Sequence, residues 1–154
     1  MSQSAEAAID VEPSAPDFEG SLEQLHSAVS GGWGSEGEWP ARFAASIRAA
    51  LDFATANPAA ARALTINSRG AGTGGYDNLI AEFSTRLCHS TPEDRRPTAS
   101  TDHAVVNSIA SVVGEHLRAG RVDRLDEVAP DLVYLALLPY VGFDEARRCA
   151  EAAA

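Results

Sequence analysis

Apolar residues recur at helical spacing through most of this chain, and that periodicity limits its possible folds more than any other feature. From Trp39 onward the apolar positions fall three and four residues apart, as at Phe43, Ile47 and Leu51. This spacing places them on one face of an α-helix. No segment shows the apolar–polar alternation that is typical of a β-strand. The sequence therefore predicts an all-α protein, built as a helical bundle.

The helical pattern divides the chain into three parts. Residues 1–20 are polar, acidic and interrupted by prolines, which predicts a disordered acidic tail. Residues 21–38 predict a short helix that starts at Ser21, followed by a flexible glycine-rich loop over 31–38. Residues 39–154 form one predicted helical domain. Its main predicted helices span 40–56, 58–68, 76–88, 101–119 and 130–141, and a small helix follows at the C-terminus.

Charge is distributed unevenly between these parts. Residues 1–38 carry eight acidic residues and no arginine or lysine, whereas the remaining 116 residues carry 14 acidic residues and 12 arginines. An uncompensated acidic segment repels a phosphate backbone, so we expect no direct binding to nucleic acid. The chain also contains no lysine, which excludes a phosphate-loop lysine and a Schiff-base site.

The sequence contains no arrangement that predicts catalysis or a metal site. No histidine falls at metal-ligand spacing, and no two acidic residues pair on one apolar face. We therefore expect no catalytic residue, no metal and no cofactor. Cys88 and Cys149 form no close pair and no secretory signal precedes them, so we expect a reduced, cytoplasmic protein.

One glycine motif matches a cofactor fingerprint in its letters. Gly70-x-Gly72-x-x-Gly75 has the spacing of a dinucleotide-binding turn. That turn needs a strand before it, whereas the preceding residues 59–66 favour a helix. We therefore interpret the motif as a flexible connection between two helices.

Two predicted helices have unusually wide apolar surfaces. Residues 132–141 read LVYLALLPYV and offer only two hydroxyl groups, and the helix over 101–119 has an apolar arc wider than one face. The run is too short to cross a bilayer, so we expect no membrane association. A helix that is apolar all round must be covered on all sides. A second chain could cover it, and burial within the monomer is the alternative.

Three segments of the chain carry a resemblance to a known family. They read WPARFAASIRAALDFATANPAAARAL, HAVVNSIASVVGEHLRAGRVDRLDEVAPDLVYLALLPYVG and DEARRCAEAAA. In actinobacterial TetR/AcrR-type repressors, a helix ending before NP, a helix ending in LRAGR and a segment like PDLVYLALLPYVG recur in this order. The chain from about Trp39 to its C-terminus thus resembles the regulatory domain of that family.

The resemblance implies a bundle that encloses a pocket for a small apolar or amphipathic effector and forms a homodimer. The candidate pocket residues lie on the predicted helices 40–56, 58–68 and 76–88. They are Phe43, Leu51, Leu64, Asn67, Tyr76, Ile80, Phe83 and Leu87. The candidate interface residues lie on the two wide apolar helices. They are Val105, Ile109, Val112, Val113, Val133, Tyr134, Leu137 and Tyr140.

Family repressors also carry an N-terminal helix-turn-helix domain, and the 38 residues before the resemblance contain no basic residue from which to build one. We therefore expect a regulatory domain that acts in transcription regulation without its own DNA-binding domain. Two alternatives remain open. The chain could form mixed dimers with a full-length repressor, or it could be a truncated remnant of one.

Overall fold

The computed structural model describes residues 17–70 and 74–154, and every regular element in these ranges is helical. This confirms the predicted all-α helical bundle. The α-helices are α1 (Phe18–Trp33), α2 (Trp39–Ala56), α3 (Pro58–Arg62), α4 (Ser68–Gly70), α5 (Gly75–Ser90), α6 (Ala99–Arg118), α7 (Leu125–Val141) and α8 (Phe143–Ala152). A π-helical turn, Ala63–Asn67, joins α3 to α4. None of the helices in these ranges has the length and hydropathy that a membrane span requires.

Helix α1 is longer than predicted at both ends. Asp17 is its N-cap and accepts a hydrogen bond from the Gly20 amide at 3.2 Å, so the helix does not begin at Ser21. It continues through the two glycines that the sequence placed in a loop, because Trp33 stacks on Phe43 of α2 at 5.5 Å between ring centroids. Tertiary packing therefore overrides the low helix propensity of glycine here. Of the predicted tail, residues 1–16 lie outside the described residues.

Helix α7 begins five residues before the predicted start at Pro130. The proline lies inside the helix, although the sequence pattern used it as the first helical residue. Leu125 and Ala129 in the added turn are completely buried, and their burial holds this turn against the core. Asp126 and Glu127 lie in the same first turn. Their negative charges stabilise the helix because they lie near the positive end of its dipole.

The predicted helix over residues 58–68 is interrupted by the π-helical turn. The Thr65 hydroxyl donates to the Ala61 carbonyl at 2.8 Å, and the Ser68 hydroxyl donates to the Leu64 carbonyl at 2.5 Å. Side-chain bonds of this kind compete with the regular helical pattern. Of the connection predicted from the glycine motif, Gly70 ends α4 and Gly75 begins α5, and residues 71–73 lie outside the described residues. Gly74, with a φ of 73°, precedes α5.

Two clusters of buried apolar side chains form the core. The first joins α2, α6, α7 and α8, and includes Leu51, Leu117, Val133 and Leu137. The second joins α1, α2, α5 and the π-helical turn. It includes Phe53, Leu64, Tyr76, Leu79 and Ile80, with Leu22 and Leu25 of α1 packed against it. Helix α1, which the sequence separated from the domain, thus belongs to the core.

A buried hydrogen bond ties α7 to the first turn of α6. The Tyr140 hydroxyl donates to Asp102 Oδ1 at 2.5 Å, and both side chains are buried. Burial raises the pKa of Tyr140 above its ordinary value, and the hydrogen bond to the Asp102 carboxylate raises it further. Tyr140 therefore stays a neutral donor to this carboxylate.

We expect Tyr140→Phe to lower the free energy of unfolding by about 1–3 kcal/mol, because the buried Asp102 carboxylate then loses its donor. Chemical denaturation followed by circular dichroism would measure the change. Tyr134→Phe is the matched control, since half-buried Tyr134 packs edge-on against Phe143 and that ring contact survives the change. Equal effects of the two substitutions would contradict the structural role of this bond.

Candidate functional site

An apolar cavity of about 120 Å³ lies between the two core clusters. Its wall is formed by α1, α2, α5, α6 and the segment around the π-helical turn. Most of the lining side chains are aliphatic or aromatic. They include Leu25, Val29, Trp33, Phe43, Ile47, Phe53, Leu64, Leu79, Ile80, Phe83, Leu87, Val106, Ile109 and Val113. The cavity is therefore suited to an apolar occupant.

Five of the eight predicted pocket residues line this cavity. They are Phe43, Leu64, Ile80, Phe83 and Leu87. The other three do not line it. Leu51 is buried in the first core cluster, and Asn67 is exposed at the end of the π-helical turn. Tyr76 packs in the second cluster and donates a hydrogen bond to Asn107 Oδ1 at 2.8 Å.

Most of the predicted interface residues are covered within a single chain. Val105, Val113, Val133, Leu137 and Tyr140 are buried within the single chain. This burial favours the alternative in which the monomer itself covers them. Ile109 lines the cavity together with Val113. Val112 and Tyr134 are half-buried.

A different face of α7 carries the exposed apolar surface. Leu135 is 60% exposed, and Phe143 at the start of α8 is 57% exposed. Half-buried Tyr134 and Leu138 lie beside them, with the Tyr134 ring 6.0 Å from that of Phe143. We call these four residues the Leu135 patch. It is an exposed apolar area on an otherwise packed helix pair.

Two parts of the cavity wall were not predicted from the sequence. The first is α1, which supplies Leu25, Val29 and Trp33. Leu25 and Val29 fall four residues apart and so share one face of α1, but nothing in the sequence shows which helix that face packs against. The second is Arg86, which follows Phe83 by three residues and so shares its helix face. A charged residue on an apolar helix face was the available signal.

Polar groups are few around the cavity. Ser46 and Thr65 are in the wall, and each hydroxyl donates to a backbone carbonyl of its own helical segment. Arg86 donates to the Ser30 hydroxyl at 2.7 Å and to Nδ1 of His26. The His26 ring stacks on Phe83 at 4.6 Å between centroids. Because arginine only donates, Nδ1 of His26 accepts, and the proton of the neutral ring lies on Nε2.

The described part of the chain shows no group of three His, Cys, Asp or Glu side chains that could hold a metal ion. Comparison with known proteins adds no assignment, because no family model, curated protein or solved structure matches this chain. The fold, the cavity and the exposed patch are therefore the observations on which a function can be argued.

Proposed function

We propose that this protein is a regulatory domain that binds a small hydrophobic molecule and acts as a homodimer in transcription regulation. The observation that carries the proposal is the apolar cavity between the two core clusters. The resemblance of residues 39–154 to TetR/AcrR-type regulatory domains supports the regulatory role.

The size and lining of the cavity support a small apolar ligand. An engineered apolar cavity of about 150 Å³ stays dry and binds benzene in another protein. The cavity here, at about 120 Å³, has a similar scale and a similar wall of leucine, isoleucine and phenylalanine. A ligand of about one aromatic ring would regain the dispersion contacts that an empty cavity lacks.

The position of the π-helical turn supports a binding role for the same cavity. Leu64 and Thr65 belong to the turn and also form part of the cavity wall. Turns of this kind occur frequently at functional sites, because they re-aim side chains out of the regular helical register. The turn therefore shapes part of the wall, to which α5 contributes Ile80, Phe83 and Leu87.

The Leu135 patch supports self-association. Two large apolar side chains that are more than half exposed lose hydration when a second copy covers them. A two-fold axis beside α7 would place the Leu135 patch of one chain against the Leu135 patch of the second chain. One contact would then cover both patches. The same patch would serve a mixed dimer with a full-length repressor.

Ligand binding is tested by filling the cavity. Indole and toluene should raise the melting temperature of the wild-type protein, because they bind the folded chain alone. Ala110→Leu places three more carbon atoms in the wall, and we expect it to reduce that thermal shift by at least half. Differential scanning fluorimetry over a concentration series measures both effects.

Ala104→Leu is the matched control, since Ala104 lies on the same helix and is exposed. It should leave the thermal shift unchanged. Equal thermal shifts in wild type and Ala110→Leu would argue against binding in this cavity, and a wild-type protein that responds to neither compound would overturn the proposed binding function.

A further inference from the structure

Arg86 is the one charged side chain among the described residues that line the cavity. It is half-buried, and within the described part of the chain no carboxylate lies within salt-bridge distance of its guanidinium group. Four other arginines of the described residues do have a carboxylate partner, at 3.2–3.5 Å: Arg48, Arg95, Arg118 and Arg147. The Arg86 guanidinium group lies over the Phe83 ring, 5.7 Å from the ring centroid, and so sits at the apolar wall with no counter-charge among the described residues. An anionic group placed there would gain a charge-assisted partner.

The hydrogen bonds of Arg86 hold the guanidinium group in place without using all its donors. Ser30 and His26 of α1 accept one bond each. A guanidinium group has five N–H donors in a fixed planar fork. Three of these donors therefore make no hydrogen bond within the described residues. A carboxylate needs two of them to accept a pair of parallel hydrogen bonds.

The His26 ring is positioned by stacking on Phe83, and its Nε2 atom makes no hydrogen bond within the described residues. That atom lies 3.2 Å from Glu82 Oε1. The Glu82 carboxylate favours the tautomer with the proton on Nε2 and thereby leaves Nδ1 as the acceptor for Arg86. The arginine at the cavity is thus oriented by residues of α1 and α5 before any ligand arrives, which reduces the entropy lost on binding.

We infer that the cavity binds a small carboxylic acid, with its apolar group of about ring size among the core side chains and its carboxylate on Arg86. This inference rests on the proposed function and adds the chemical class of the ligand. Every other lining side chain in the described residues is uncharged, so Arg86 alone distinguishes an acid from a neutral molecule of the same shape.

Phenylacetate and phenylacetamide make a direct test, because they share size and shape and differ in charge. Isothermal titration calorimetry at neutral pH should show phenylacetate binding to the wild-type protein at least tenfold more tightly than phenylacetamide. In Arg86→Gln that preference should fall to less than twofold, while the affinity for phenylacetamide stays within twofold of the wild type.

Arg147→Gln is the matched control for a lost arginine, since Arg147 lies on α8 and pairs at the surface with Glu151. It should keep the tenfold preference. If Arg86→Gln does not fold, the comparison of acid and amide in the wild-type protein still tests the inference, because equal affinity for the two compounds would overturn it.

The outcomes separate the two proposals. Equal affinity of the wild type for both compounds would overturn the carboxylate inference and leave the cavity as a binding site for neutral molecules. A preference for phenylacetate that Arg86→Gln retains would also overturn it, because the charge recognition would then lie elsewhere. A wild-type chain that binds neither of these two compounds and neither indole nor toluene would overturn the proposed binding function as well.

Discussion

Gly32→Ala is expected to lower the free energy of unfolding by about 3 kcal/mol, because α1 and α2 cross at this glycine with no room for a side chain. A Cβ atom there would lie 2.6 Å from Ser46 Cα and 2.7 Å from the Ala45 carbonyl oxygen. Both are backbone atoms, which cannot rotate away. The helices would have to separate, and the contribution of α1 to the cavity wall would be lost.

Chemical denaturation measures the stability of this variant, and intrinsic fluorescence reports the local structure. Both tryptophans of the chain, Trp33 and Trp39, stack on Phe43 at 5.5 and 5.3 Å. Separation of the helices should therefore shift the emission to longer wavelength.

Gly31→Ala is the matched control for this prediction. Gly31 is the preceding residue of the same helix, is exposed, and a Cβ atom there meets nothing within 4 Å. Since alanine is favoured over glycine in a helix, the control should be neutral or stabilise the fold by up to about 1 kcal/mol. A Gly32→Ala variant as stable as Gly31→Ala would show that α1 does not pack against α2 in this way.

A glutamate substitution should unfold the protein at one position of α7 and dissociate the proposed dimer at another. Leu137 is completely buried, so Leu137→Glu would desolvate a charge in the first core cluster and destabilise the fold by more than about 4 kcal/mol. Leu135 is 60% exposed, so Leu135→Glu should leave the fold intact and dissociate the proposed dimer. Circular dichroism measures the first effect, and light scattering coupled to size exclusion measures the second.

Each variant of the pair is the control for the other. A dimeric and folded Leu135→Glu would show that the Leu135 patch is not the interface. A monomeric wild type at micromolar concentration would contradict the homodimer and leave the mixed dimer as the association that the patch could serve. A folded Leu137→Glu would contradict the burial of this side chain.

Periodicity was sufficient to predict the fold class and the apolar face of each helix, whereas the resemblance implied where a pocket would lie. The apolar positions of α2 and α5 repeat three and four residues apart, and each such stripe must turn inward to be buried. Phe43, Ile80, Phe83 and Leu87 lie on these stripes and were named as pocket residues with the resemblance, and all four line the cavity. Leu51 follows the same pattern but does not line the cavity, because periodicity identifies the buried face and not the neighbour that covers it.

The sequence by itself determined that the chain is all-α and where most helices lie, because helical periodicity is a local property of the residues. Only the tertiary structure decided which side of α7 is covered. Its residues are apolar all round, so the sequence has no pattern that separates buried Leu137 from exposed Leu135. The close approach of α1 at Gly32 and the position of Arg86 at the cavity also depend on contacts between residues distant in the chain. Such contacts exist only after the helices have packed, and no local pattern encodes them.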